Sequence, residues 1–303
     1  MEAPPDSHSS ESTSPQSIGL LAAWGRFPVH VAQTLKESGH RVICVGVTDH
    51  ADPVLAEICD EYTSLGVGKL GGHIRFFRRH GVTTATMAGK LFKHKLLYNG
   101  HWIRHAPDWT SVKTYFPHFI TKKQDKTDDS MLLAAVKAFQ SGGIALVPAT
   151  DFAPELLIGS GQIAGKQLSH AQLKDVEFGW RLAKEMGRLD VGQTVAVKSQ
   201  AVLAVEAIEG TDQCIRRAGQ LCRRGGFTVV KVAKPQQDMR FDVPTIGRGT
   251  IESLVDAGAS VLAVEAEKTI IIDHDDVVAL AEIHQLDIVA VADTDFAKLR
   301  QAA

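Results

Sequence analysis

Short apolar runs alternate with amphipathic stretches from residue 18 onward. Residues 18–23 and 41–47 are apolar, whereas 28–37 and 53–60 repeat their apolar positions at helical spacing. Residues 69–79 continue as helix and 83–88 as strand. A β-α-β-α-β order predicts an α/β fold whose first half is a Rossmann-like parallel sheet, because parallel neighbours need a helical crossover that covers the sheet faces. Residues 90–129 break this rhythm. There Tyr98, Trp102, Trp109, Tyr115, Phe116 and Phe119 are interleaved with Lys93, Lys95, Arg104, Lys113, Lys122 and Lys123. The stretch reads either as a surface insertion or as a face that meets lipid or an anionic substrate. A helix over 129–139 and a strand over 143–147 follow.

Periodicity lapses again between Gly159 and Leu168, where Gly and Ser cluster. The chain therefore divides into a disordered tail, 1–17, an N-terminal Rossmann-like domain, 18–160, and a C-terminal α/β domain, 165–298. The second domain opens with an amphipathic helix over 171–186, with Gly187 as its C-cap. Strands are expected at 194–198, 201–206, from 228, at 261–265, 269–272 and 287–291, with helices at 212–223, 250–256 and 275–284. The hexapeptide Val202-Leu203-Ala204-Val205-Glu206-Ala207 recurs as Val261 to Ala266. It marks either two equivalent strands or a chance likeness of two small-residue core strands.

Chemistry concentrates in the second half. From Lys234 to Gly247 the chain alternates charge with apolar side chains, which predicts an extended segment with Asp238, Arg240 and Asp242 on one face and Met239, Phe241 and Val243 on the other. Carboxylates so spaced suit a hard divalent cation, and Lys234 and Arg240 suit phosphate oxygens. The same acids and base could equally pair with one another on a solvated edge strand. Glu209-Gly210-Thr211-Asp212 lies between a strand and a helix, where it serves as a cap or as a phosphate and metal site. Gly19, Gly25 and Pro28 follow the first strand and open a helix, the place where a phosphate meets backbone N–H groups.

Composition removes other classes. With 303 residues, 44% hydrophobic and 22% charged, the chain can bury a large core, and a net charge of −2 gives no global reason to bind nucleic acid. Cys44, Cys59, Cys214 and Cys222 form no C-x-x-C pair and read as thiols in a reducing, cytoplasmic setting. Residues 1–17 have neither the basic nor the apolar region of a signal peptide, and no apolar run reaches membrane-span length, so membrane contact would be peripheral. The thirteen histidines form no metal cluster, His101 and His105 included. No G-x-G-x-x-G fingerprint or G-x-S-x-G elbow occurs, and Gly89-Lys90 lacks the rest of a P-loop.

Taken together, these residues resemble the UDP-2,3-diacylglucosamine pyrophosphatases of the lipid A pathway that carry no metallophosphoesterase signature. The likeness runs through Gly19-Leu20-Leu21-Ala22 to Pro28, Met87-Ala88-Gly89-Lys90, Asp128-Asp129, Pro154-Glu155-Leu156-Leu157, Phe178-Gly179-Trp180 and Leu189 to Gln193. It continues through Ala204 to Asp212, and the long Lys231 to Gly247 run is its most specific part. Ala23-Trp24-Gly25 departs from the family's Ala-Gly-x-Gly first turn. The resemblance implies Mg²⁺-dependent hydrolysis, with Mn²⁺ as a substitute, to UMP and 2,3-diacylglucosamine 1-phosphate, with attack at the sugar-linked phosphorus. It casts Asp242 as the catalytic carboxylate, Asp238 and Asp212 as metal ligands beside Asp242, and Lys234 and Arg240 as phosphate holders. Gly19, Gly25, Gly89, Lys90, Thr211 and Thr245 become substrate-binding residues, and an apolar crevice between the domains takes the acyl chains. The expected partner is a lipid-linked UDP-sugar met from the cytoplasm, at the inner face of the inner membrane; a homodimer is compatible with the sequence. Competing classes are a nucleotide-sugar or lipid-binding module without turnover and a nucleotide-sugar transferase.

Overall fold

The apolar runs become strands because each is short, rich in Val, Ile and Ala, and closed by a turn residue. The computed structural model describes residues 15–91, 104–120 and 128–296, so all but the end of the expected tail, His101 and much of the aromatic-basic stretch lie outside the described residues. The chain forms two compact units, Met1–Phe152 and Ala153–Ala303.

In the first unit β1 (Ser17–Ala22), β2 (Arg41–Val47), β3 (Glu61–Leu65), β4 (Thr84–Ala88) and β5 (Ala145–Leu146) form a parallel sheet ordered β3-β2-β1-β4-β5. Helices α1 (Phe27–Glu37), α2 (Leu55–Ile58), α3 (Leu70–Arg79), α4 (Trp109–Ile120) and α5 (Asp128–Ser141) occur between strands. Two of these elements were not foreseen. β3 reads Glu-Tyr-Thr-Ser-Leu and is only partly buried, as befits an edge strand, so it carries no apolar run to detect. α4 sits inside the stretch where aromatic and basic residues obscure any period.

Gly19 corrects an expectation. It lies within β1 and not in the turn after it, and a Cβ there would come 2.7 Å from the Ala85 Cβ and 3.0 Å from Val82 Cγ1. Its role is to let two sheet strands and the α3 side chain Phe77 approach one another.

The second unit holds a six-stranded sheet ordered β6-β13-β11-β9-β7-β8, from β6 (Gly161–Ala164), β7 (Thr194–Lys198), β8 (Ala201–Val205), β9 (Phe227–Lys231), β11 (Ala259–Glu265) and β13 (Asp287–Val291). A small parallel pair joins β10 (Thr245–Ile246) to β12 (Ile270–Ile271). β9, β11 and β13 are parallel, β7 runs against β9, and β8 runs against β7. Helix α6 (His170–Arg188) packs Val176, Trp180 and Ala183 on Val195, Val197, Val230, Val261 and Ala263. Helices α7 (Thr211–Leu221), α8 (Arg248–Ala257) and α9 (His274–Ile283) cover the other face, where Ile215, Ile251, Leu254 and Val277 meet Ala196, Val229, Leu262 and Ile288. Three layers follow directly from the alternation of side chains along each strand.

Two further expectations change here. Gly187 does not cap α6, which runs on to Arg188; it is buried where the helix passes Lys234 and Pro235, whose Cα and Cδ would lie 3.3 Å from a Cβ at this position. Residues 161–164, read as a loop, pair antiparallel with β13.

The packing at Gly19 generates a prediction. Gly19→Ala places a methyl group against the Ala85 Cβ, which cannot move without its strand, so it should destabilise the protein by about 1–3 kcal/mol. Thermal denaturation should register a lower Tm; an unchanged Tm would contradict the assigned packing.

Candidate active site

Polar side chains gather where the parallel strands of the second sheet end. This is the carboxyl edge, the position at which open α/β sheets bind ligands. Thr194 and Lys231 are paired across β7 and β9, and the Glu206 N–H donates to the Thr194 carbonyl at 2.8 Å, so three adjacent strands place these residues side by side. Lys231 and Glu206 are buried, 7% and 8% exposed. The Lys231 ammonium donates to the Thr245 carbonyl at 3.2 Å and to Thr211 Oγ1 at 3.4 Å. Thr211, the first residue of α7, has its Oγ1 3.0 Å from Glu206 Oε1. A carboxylate only accepts, so Thr211 donates its proton to Glu206 and turns its lone pairs toward Lys231.

Thr211 and Thr245 were expected to orient phosphate through hydroxyl or backbone, and both hydroxyls are engaged within the protein, the first donating to Glu206 and the second to the Val243 carbonyl at 2.9 Å. What these residues can still offer a ligand is backbone: Thr211 follows Gly210, whose φ of +81° suits glycine, and its N–H belongs to the first turn of α7.

Residues 232–247 leave the same edge after β9, and before β10 they turn and do not run as an extended strand. The Phe241 and Asp242 N–H groups both donate to the Asp238 carbonyl, at 3.2 and 3.0 Å, which wraps the segment into a turn. Burial does not alternate: Met239, Phe241 and Val243 are half-buried, like Asp238, Arg240 and Asp242. Asp238 and Arg240 form a forked pair, with Arg240 Nε 2.8 Å from Asp238 Oδ1 and its Nη2 on Oδ2. The Arg240 hydrogen bonds hold the Asp238 carboxyl below the usual range, and the Asp238 carboxylate in turn raises the guanidinium. Lys234 reaches back to Asp190 at 2.6 Å.

The three carboxylates proposed for a metal do not assemble. Among the described residues no three His, Cys, Asp or Glu side chains gather to hold an ion. Asp212 is exposed in the first turn of α7, and Asp238 is committed to Arg240.

A second buried glutamate stands on this edge. Glu265 ends β11, is 4% exposed, and accepts from Lys184 of α6 at 2.6 Å on both oxygens, from Lys268 at 3.0 Å, and from the Ala233 N–H at 2.7 Å. It thus anchors the chain where 232–247 departs. Lys184 also lies 5.2 Å over the Trp180 ring. Lys184, Glu206, Lys231 and Glu265 were not singled out from sequence. A lysine inside the β-branched run 228–233, and a glutamate at the same place in each repeated hexapeptide, were the available signals.

In the first unit the strand order reverses between β1 and β4, and the turns that follow them are stitched together. Ala23 N–H donates to the Ala88 carbonyl at 2.9 Å, Trp24 N–H to Lys90 O at 3.2 Å, and Lys90 N–H to Trp24 O at 2.9 Å. Gly89 has φ of +98°, and a Cβ on it would fall 2.8 Å from Ala23 C and Trp24 O. Gly25, at φ of +111°, precedes α1. Gly25, Gly89 and Lys90 therefore share one bracket at the topological switch point, and Gly19 is not part of it.

Residues 17–156 match the family model described as the LpxI N-terminal domain, and residues 159–289 match the LpxI C-terminal domain. The UDP-2,3-diacylglucosamine pyrophosphatase LpxI of Caulobacter vibrioides is 29% identical over 277 residues, covering 88% of this chain and 94% of that protein. Among solved structures, the UDP-glucose-4-epimerase of Stenotrophomonas maltophila overlaps with a TM-score of 0.27 at 14% identity, over 42% of this chain and 34% of that one. A GalE-like L-threonine dehydrogenase from Cupriavidus necator overlaps with a TM-score of 0.26 at 14% identity, over 51% of this chain and 44% of that one. The chain thus spans less than half the length of either solved structure.

Two outcomes follow from the charge pairs. Glu265→Ala strands Lys184 and removes the Ala233 acceptor, so unfolding should become easier by about 3–5 kcal/mol in denaturant titration, and a loss under about 1 kcal/mol would refute the anchor. Because its folded pKa is depressed, Asp238 stabilises the fold above the ordinary carboxylate range, and this is lost as pH falls through the depressed value. Arg240→Met should therefore raise the Asp238 carboxyl back toward the ordinary range in a carboxyl-carbon NMR titration; an unmoved titration would break the pairing.

Proposed function

The chain belongs to the LpxI family, and we propose that it hydrolyses the pyrophosphate bond of UDP-2,3-diacylglucosamine, giving UMP and 2,3-diacylglucosamine 1-phosphate in lipid A synthesis. The observation that carries this reading is the carboxyl edge of the second sheet, where Lys231 reaches Thr211 and the Thr245 carbonyl, at the end of the segment that carries the turn 238–242, all within the residues that match the LpxI C-terminal domain.

Hydrolysis of a phosphoric anhydride needs a water held in line, a group that takes its proton, and cations that spread charge over the non-bridging oxygens. Asp242 takes the first two tasks. Its backbone is fixed by the hydrogen bond to Asp238, and the pair Asp238–Arg240 stiffens the same turn. Asp238 uses Nε and Nη2 of Arg240, and a guanidinium carries five donors, so the remaining N–H groups can address a phosphate oxygen. Lys234, tethered by Asp190, supplies a second cation from the start of the segment. As the water oxygen bonds to the sugar-linked phosphorus, its proton passes to Asp242. The bond to the bridging oxygen breaks, and that oxygen leaves with UMP.

Mg²⁺ fits this donor set. It binds through one or two carboxylates plus substrate phosphates and waters, and so needs no preassembled cage of three acids. Asp242 would hold it, and the ion would supply charge neutralisation at the phosphate oxygens. We also read contact with a lipid surface as peripheral. No described helix is long and apolar enough to cross a membrane, and α4 exposes Trp109 to 81%, with Val112 and Lys113 exposed beside it.

The wild-type chain should release UMP from UDP-2,3-diacylglucosamine without any acceptor. Asp242→Asn should lower kcat by about 10²–10⁴-fold at an unchanged Tm. EDTA should abolish turnover, and Mg²⁺ or Mn²⁺ should restore it. Binding without UMP release would mark a nucleotide-sugar-binding protein, turnover only with an added hydroxyl acceptor would mark a transferase, and full activity after chelation would remove the metal.

A further inference from the structure

The two buried glutamates on the carboxyl edge are satisfied differently. Both oxygens of Glu265 receive donors, from Lys184, Lys268 and Ala233 N–H. Glu206 receives the Thr211 hydroxyl on Oε1, while its Oε2 is buried and accepts no hydrogen bond from any described residue. A carboxylate oxygen shut away from water without a donor is costly, and native proteins keep such atoms where a ligand or ordered water completes them. A cluster that served stability alone would close as Glu265 does.

Glu206 and Lys231 are also placed as a matched pair. Glu206 follows β8 and Lys231 ends β9, the two strands that flank β7, and Glu206 meets the first turn of α7 through the Thr211 hydroxyl. That hydroxyl has one proton, and Glu206 takes it, so the Thr211 oxygen can only present lone pairs to the Lys231 ammonium. The orientation of a cation on a rigid strand is thereby set by a carboxylate that need not touch it.

We propose that Lys231 is a phosphate-holding residue of the site and that Glu206 is a positioning residue that acts on it through Thr211. The proposal rests on the pyrophosphatase reading for the identity of the phosphate. Lys231 differs from Lys234 and Arg240 in standing on a strand and not on the turn segment, so it holds one phosphate with little reorganisation while the segment adjusts to the other. The open Oε2 of Glu206 is the acceptor for a donor that arrives with the ligand, such as a phosphate-bound water.

The test uses the full chain, steady-state turnover of UDP-2,3-diacylglucosamine, and calorimetric binding of inorganic pyrophosphate. Thr211→Val keeps shape and removes the hydroxyl. It should weaken pyrophosphate binding and lower kcat/KM, each by roughly tenfold or more, the scale of a lost hydrogen bond to a charged group, and it should lower Tm because Glu206 loses its donor. Thr211→Ser restores the hydroxyl and should recover most of both losses, which mere side-chain volume would not do. Lys231→Met should abolish pyrophosphate binding; if that variant does not fold, the Thr211 pair decides. Wild-type binding and turnover in Thr211→Val, or a Thr211→Ser as impaired as the valine variant, would overturn the proposal. If wild type leaves UDP-2,3-diacylglucosamine intact but pyrophosphate binding still follows the Thr211 series, the substrate reading falls and the phosphate site stands.

Discussion

A single buried carboxylate, Glu265, fixes where the segment 232–247 leaves the sheet. It draws together α6 through Lys184, the loop after β11 through Lys268, and the backbone of Ala233, the residue from which 232–247 departs. Its value lies less in net stability than in specificity, since a buried ion pair often gains little over apolar packing while losing one partner is severe. Everything on the segment inherits that starting point: the Lys234–Asp190 tether, the Asp238–Arg240 fork, and the Thr245 carbonyl that receives Lys231.

The second sheet divides its two faces between support and chemistry. The repeated Val-Leu-Ala-Val-Glu-Ala places one glutamate just after β8 and one at the end of β11, on the same edge because both strands run in one direction. Glu265 turns to α6, and Glu206 turns to α7 on the opposite face. The hexapeptide is therefore not the trace of two equivalent strands. One copy closes a fully satisfied anchor, the other a half-satisfied cluster beside a helix N-terminus. On the proposed reading, a positive side chain on a strand and further ones on a turn would give one fixed and one adaptable grip for a substrate with two phosphates.

What could be read from the residues follows the strength of the pattern. Apolar runs such as Arg41–Val47 and Asp287–Val291 were legible because burial on both faces demands them. β3 was not, since an edge strand of Glu-Tyr-Thr-Ser-Leu has no hydrophobic signature. The segment 234–247 misled for a related reason. Its alternation of charge and apolar side chains matches an edge strand, but the Asp238 carbonyl captures two N–H groups locally, and the Asp238–Arg240 fork closes that turn. Charge pairing between these two residues, one of the two readings open from spacing, is what the fold contains. Buried polar residues at strand ends, Lys231 and Glu265 above all, needed the sheet order before their convergence could be seen.

The proposed reaction is hydrolysis at the sugar-linked phosphorus by water held at the edge of the second sheet. The most direct test is turnover in ¹⁸O-water followed by ³¹P NMR of both products. The account predicts that 2,3-diacylglucosamine 1-phosphate carries the label and UMP carries none. Label in UMP would place the attack on the other phosphorus, and Asp242 with its turn would then stand on the leaving group's side.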